Sequence, residues 1–234
     1  MAIKFRVDKR KKYIAVVDTE TANGFMENGK INLFYSLVYD YGYIIRDLAG
    51  NILVARSFAI KEIFLDEKLM SSAYYAEKIP QYWEEIKSGK RQLVSFFTMR
   101  KIFLADCKKY NVKTVTAHNA GFDVRALNNT IRLLTGSSCR YFFPYKFEIW
   151  DTLKMSRDVF KTLKGYNAYC VRNSYMTKHK VPQIKCTAEI LYKYISGNDN
   201  FMEEHKGIDD VLIESEILTY CLKSHKKMRK RLYN

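Results

Sequence analysis

The chain has 234 residues, of which 47% are hydrophobic, and carries 40 Lys and Arg against 25 Asp and Glu, a formal net charge of +15. That apolar content supports one substantial core and argues against a disordered chain. No run of about 18 apolar residues predicts a membrane-spanning helix, and the opening Met-Ala-Ile-Lys-Phe-Arg lacks the apolar centre of a secretion signal. Five scattered cysteines show neither metal-ligand spacing nor a disulfide framework, so a reduced, cytoplasmic setting is expected. The positive excess favours a polyanionic partner.

The first predicted element follows the basic run Lys9-Arg-Lys-Lys12 and reads Tyr13-Ile-Ala-Val-Val-Asp-Thr-Glu20. Ile14, Ala15, Val16 and Val17 form a continuous apolar run, as in a strand buried on both faces. The strand is expected to end at its two acids. Period-2 geometry points Asp18 and Glu20 to the same side. Two neighbouring carboxylates repel, and a hard divalent cation with oxygen ligands relieves the repulsion. Read alone, the pair is equally at home as solvated turn residues.

Residues 31–47 and 51–60 read as strands joined by a turn at Leu48-Ala-Gly-Asn51, which completes a three-stranded antiparallel meander. Residues 73–88 and 92–110 read as helices separated by Gly89, with Tyr74, Tyr75, Tyr82 and Trp83 as packing residues. A short strand over 113–117, a helix over 122–134 and a fifth strand over 147–151 follow. The region from Arg157 to Cys186 interleaves Arg172, Tyr175, Lys178 and Lys180. That mixture suits single-stranded nucleic acid, and a plain helical insertion fits it as well. Asp151 reads as a helix N-cap or a support of the site.

Two later segments join the acids of the first strand. One is Val115-Thr-Ala-His-Asn-Ala-Gly-Phe-Asp123, and the other is His205-Lys-Gly-Ile-Asp-Asp210 at the start of the last long helix. Asp18-Thr-Glu20, Asn119-x-x-Phe122-Asp123 and His205 with four residues before Asp210 resemble the three motifs of the DEDDh (DnaQ-like) 3′-to-5′ exonucleases. That family includes the proofreading subunit of bacterial DNA polymerase III. The resemblance spans roughly residues 13–222, in the same order and contexts. Thr187-Ala-Glu-Ile and Tyr192-x-Tyr194 look faintly like stand-alone phage and bacterial members.

The resemblance, together with the predicted elements, implies an α/β ribonuclease H-like fold. Its sheet is expected to have five strands, three antiparallel then two parallel, flanked by helices in a single domain over 1–234. It also implies that Asp18, Glu20 and Asp210 hold one metal ion, with Asp18 bridging to a second that Asp123 reaches. Two such ions about 3.5–4 Å apart clamp an in-line displacement at phosphorus. Mg²⁺ suits the set, and Mn²⁺ is the natural substitute. His205 is the implied general base; by itself it reads first as a solvated loop histidine. His118 is read as a support of the second motif, and His179 and His225 as solvated.

The family pattern at the first motif continues Thr-Thr-Gly, whereas here Thr21 precedes Ala22-Asn23-Gly24. Thr21 and Ala22 are expected to offer backbone groups to a terminal sugar, and Asn119 and Phe122 to line the substrate site. Phe25 is either a wedge near the last base or a core aromatic.

The expected activity is hydrolysis from the 3′ end of single-stranded DNA or DNA ends, releasing nucleoside 5′-monophosphates. An exoribonuclease or oligonucleotide scavenger is the close alternative. A nucleic-acid-binding module and a replication- or repair-associated interaction protein are the alternatives from other classes. The second basic run, Lys226-Lys-Met-Arg-Lys-Arg231, is expected to continue the last helix about 30 Å beyond the site at 1.5 Å per residue. There it would hold a distal strand or dock a partner.

Overall fold

The computed structural model describes residues 12–23, 26–27, 30–73 and 75–233. Phe25, Tyr74 and Lys9 to Lys11 lie outside them. The chain begins with β1 (Tyr13–Asn23), a small ladder of β2 (Met26–Glu27) and β3 (Lys30–Ile31), then β4 (Ser36–Asp47) and β5 (Ile52–Ile60). Short helices α1 (Lys61–Phe64) and α2 (Glu67–Met70) lead to α3 (Ile79–Lys87), β6 (Gln92–Val94) and α4 (Phe96–Lys109). Then come β7 (Thr114–Ala117), α5 (Ala120–Thr135), β8 (Glu148–Asp151), α6 (Thr152–Phe160), α7 (Lys164–Arg172), α8 (Ala188–Ser196) and α9 (Gly207–Lys223). Among the described residues, no helix is long and apolar enough to cross a membrane.

The main sheet has six strands in the order β6-β5-β4-β1-β7-β8, not the expected five. The extra strand is β6, which pairs parallel to β5 through Phe58↔Gln92 and Ile60↔Val94. Its residues were expected to be helical. Ser95 decides otherwise: its side chain accepts from the Thr98 amide and starts α4 only after the strand. Helix α3 likewise starts at Ile79 rather than at 73.

The central strand β1 is buried on both faces, as its apolar run predicts. Tyr13, Ala15 and Val17 enter one core with β4, β5, α4 and α5. Ile14 and Val16 enter a second core with α6, α7, α8 and α9. At the β4–β5 turn the Asp47 carboxylate accepts from the amides of Ala49, Gly50 and Asn51.

Strand β1 does not end at Glu20. It pairs antiparallel with β4 as far as Asn23, with a register shift between Glu20 and Thr21. On its other edge, the parallel pairing with β7 stops at Val16↔Thr116. Beyond that point β1 carries Asp18 and Glu20 alone on that side. The carboxyl ends of β1, β7 and β8 thus open a crevice where an α/β sheet commonly binds ligand.

The segment after α9 departs most from expectation. The helix ends at Lys223, and the chain turns at His225 in a left-handed conformation (φ 52°). It then runs back along β8. Arg231 bridges antiparallel to Trp150. The Asp151 amide donates to the Lys230 carbonyl (2.8 Å), and the Leu232 amide to the Ile149 carbonyl (2.9 Å). Arg229 holds Asp158 through two side-chain bonds (2.7 and 2.9 Å).

Candidate functional site

One cleft of about 830 Å³ gathers Asp18, Glu20 and Thr21 from β1, Asn119, Phe122 and Asp123 from the start of α5, and His205 and Asp210 from the start of α9. Asp18 stands opposite Gly42 and Glu20 opposite Asp40 in the β1–β4 register. Glu20, Asp123 and Asp210 are buried. Thr19 Oγ1 donates to Asp123 Oδ1 (2.9 Å), tying β1 to a residue 104 positions later. Ala22 is fully buried, paired with Leu37 in β4 and bridged to Ala73, and lies outside the cleft lining.

The first turn of α5 depends on Asn119, which takes a left-handed conformation (φ 70°). Its amide donates to Asp151 Oδ1 (3.2 Å), and the same oxygen accepts from the Leu153 amide (2.9 Å) to cap α6. His118 is held between Thr152 Oγ1 (3.1 Å) and the Cys186 carbonyl (2.8 Å). Burial lowers its pKa to about 4, so it is a neutral support for the second motif.

The start of α9 is fixed from below. The Gly207 amide donates to Asp40 Oδ2 (3.0 Å). Asp40 is fully buried and also accepts from Tyr82 (2.7 Å) and Arg91. Arg91 continues to Glu85 (2.9 Å), and Glu85 to Lys206 (3.1 Å). This buried network sets where the first turn of α9 sits, and with it Asp210.

Sequence reasoning missed four residues in or beside the cleft. Glu214, one turn beyond Asp210, is buried and lines it as a fifth acid. Glu203 lines it as a sixth. Tyr75, read as a packing residue, lies flat on His205, with ring centroids 4.5 Å apart and planes inclined by 10°. Lys78 places its ammonium over the Tyr75 ring, 5.0 Å from its centroid. A helical i, i+4 relation to Asp210 was the available signal for Glu214. Nothing in the sequence marks Tyr75.

Electrostatics mark the cleft as built for positive charge. Burial, then repulsion from Glu214 and Asp123, raises the Asp18 pKa well above the usual carboxylate range. Burial and the Asp210 charge do the same to Glu20. Burial pushes Asp123 up to about 7 and, with Glu203 next to it, Asp210 up to about 8. Burial lowers the pKa of His205, with help from Lys78, so it is neutral near pH 7. Asp210 Oδ1 and Glu214 Oε2 are buried without a hydrogen-bond partner. A buried acceptor left unpaired is costly unless a cation completes it. Glu20, His205 and Asp210 each offer a ligand atom within 4.8 Å of the others, a set able to hold a metal ion.

The cleft lining also carries basic side chains. Arg157, Lys161, His179 and Lys185 belong to it, all from the 157–186 region whose role the sequence left open. That region borders the cleft.

No family model matches the chain, and no curated protein sequence matches it. Solved structures do. Cell-death related nuclease 4 (CRN-4) superposes with a TM-score of 0.52 at 10% identity, over 94% of this chain and 67% of that one. E. coli Exonuclease I matches in two complexes. Its zinc-bound complex with single-stranded DNA gives 0.51 at 14% identity, and its complex with a dA16 oligonucleotide 0.50 at 12%. The chain has the fold of these nucleases. It spans about two-fifths of the Exonuclease I chain (39% and 41%) while 88% and 93% of its own length is covered.

Proposed function

We propose that the chain is a metal-dependent 3′-to-5′ exonuclease of the DEDDh type, acting on single-stranded DNA or DNA ends and releasing nucleoside 5′-monophosphates. One observation carries the reading. Asp18, Glu20, Asp123 and Asp210 come from three distant segments and meet in one cleft, with His205 stacked at its edge. Exonuclease I of the same fold is described in complex with single-stranded DNA, which agrees with a strand entering this cleft.

The four acids would hold divalent cations, Mg²⁺ first and Mn²⁺ as substitute, because the donor set is oxygen-rich and hard. Such ions supply Lewis-acid polarisation of the phosphoryl group and a more acidic water. The chain's own groups do the rest. His205, neutral at working pH, accepts the proton of the attacking water, and Tyr75 holds the imidazole plane. Arg157, Lys161 and Lys185 in the cleft lining attract the phosphates of the strand. Thr21, Asn119 and Phe122 border the space for the terminal nucleotide. Any role for Phe25 lies outside the described residues.

A 5′-labelled single strand incubated with Mg²⁺ tests the reading. Stepwise shortening from the 3′ end is expected, and Asp18→Ala should abolish it while the circular dichroism spectrum is unchanged. Retained shortening by Asp18→Ala would refute the assignment of that acid. Parallel digestion of matched DNA and RNA strands assigns the sugar.

A further inference from the structure

A second groove, about 870 Å³, meets α5 at Val124 and Asn128, whereas the cleft meets it at Phe122 and Asp123. Tyr141, residues 143–149 and Arg231 line the groove as well. Val124 is the neighbour of Asp123, so the first turn of α5 is the partition between cleft and groove. The groove carries three exposed tyrosines: Tyr141 at 59%, Tyr145 at 106% and Tyr233 at 65%. Aromatic faces left in water at this density call for a partner.

The charge around them is one-sided. Arg132 lies over Tyr141, 5.0 Å from the ring centroid, and its Nε donates to the Arg140 carbonyl (3.1 Å). Arg100 donates to the Phe142 carbonyl (2.8 Å), and burial, then the positive charge of Arg140, lowers its pKa. Lys146 is exposed in the lining. Among the described residues, no carboxylate pairs with Arg100, Arg132 or Arg140, whereas Glu148, the one acid of the lining, is taken by Arg231 (2.6 Å). Side chains that combine stacking faces with unpaired guanidinium groups match one ligand chemistry. Bases stack on the rings, and phosphates meet the cations.

We propose that this groove is a second binding site for single-stranded nucleic acid, holding the strand upstream of the nucleotide in the cleft. Helical rise sets Arg132 about 14 Å beyond Asp123 along α5. A strand of a few nucleotides therefore fills the cleft alone, and a longer one engages both sites. The inference rests on the nuclease reading only for the direction of the strand.

The test compares dT strands of about 4 and about 16 nucleotides, spanning the range of single-strand site sizes. Binding to the full chain is followed by fluorescence anisotropy in EDTA. The double variant Tyr145→Ala/Lys146→Ala changes only exposed side chains of the lining. It should weaken the 16-mer about tenfold, in line with the loss of one stacked base and one cation. It should also lower the salt slope by about 0.7, and leave the 4-mer unchanged. A second variant, Lys87→Ala/Lys90→Ala, removes exposed charge elsewhere and should leave both strands within about twofold.

Hydrolysis of the p-nitrophenyl ester of thymidine 5′-monophosphate with Mg²⁺ reports the cleft by itself. Its absence would overturn the nuclease reading and leave the groove standing. Equal 16-mer binding by the groove variant and the unaltered chain, or equal losses on both strands, would overturn the groove.

Discussion

Gly42 of β4 and Gly207 of α9 touch backbone to backbone. A Cβ on Gly42 would stand 2.2 Å from the Gly207 carbonyl carbon and 2.4 Å from the Ile208 nitrogen. A Cβ on Gly207 would meet the Gly42 nitrogen at 2.9 Å. No side chain fits between strand and helix, and this closeness brings Asp210 to Asp18. Gly42→Ala is therefore expected to push α9 away. Overpacking of this kind costs roughly 1–3 kcal/mol, and here the clash is with backbone, which cannot change rotamer. Strand shortening should be lost in Gly42→Ala and reduced less in Gly207→Ala. Thermal melts and a gel assay on both variants check the order.

The acids make the metal-free protein sensitive to alkali. An acid whose pKa is raised by folding keeps its proton where the unfolded chain has released it, so stability falls as pH rises toward the folded value. Asp123 (about 7) and Asp210 (about 8) set the upper end of that window. His118 and His205 act in the opposite sense, because their lowered values favour folding as pH rises toward the ordinary histidine value. Above about pH 6.5 only the acids remain. The melting temperature in EDTA should therefore drop between pH 6.5 and 8, and Mg²⁺ should raise it most at pH 8. Asp18→Asn should flatten both effects. A drop of about 1 kcal/mol corresponds to about 2–4 °C for a chain of this size.

His205 holds a left-handed backbone (φ 50°) and lies against Tyr75. His205→Ala removes the proposed base and should lower turnover about 10²–10⁴-fold. Tyr75→Ala leaves the base but frees its plane, and should cost at most about tenfold, the equivalent of one aromatic contact. Single-turnover rates in saturating Mg²⁺ separate the two. A Tyr75→Ala loss as large as that of His205→Ala would make the tyrosine more than a platform.

Removing residues 226–234 should damage catalysis as well as binding. The returning segment satisfies the Asp151 amide, and the Asp151 carboxylate holds the start of α5. Loss of the two ladder bonds to β8 costs about 1–3 kcal/mol at 0.5–1.5 each. Lower melting temperature and lower turnover at saturating strand are expected together. An unchanged turnover would show that Asp151 keeps its place without the returning segment.

The parts of this molecule written in local pattern were readable from the residues. The apolar run from Ile14 to Val17 predicts a strand buried on both faces, and β1 is one. The acids of the three motifs could be listed through the family resemblance, and the fold gathers them. What could not be read depends on contacts across long separations. The support of Gly207 by Asp40 joins residues 167 positions apart, and neither residue type announces it. Strand β6 is only Gln92-Leu-Val94, too short for a period, so the adjoining helix signal absorbed it. The basic run after α9 continued a helical composition, and the left-handed turn at His225 sends it back along β8 instead.

The closure of α9 onto β4 has a consequence for the order of assembly. The β1–β4–β5 meander forms from neighbouring segments, whereas the Asp40–Gly207 clasp waits on a very long loop closure, the slow class of folding event. A chain caught before that step has a hydrophobic sheet but no complete set of acids. On the proposed nuclease reading, such a chain would lack activity on nucleic acid while still immature. Metal capture at the proposed site would then draw the last equilibrium toward the finished form by mass action.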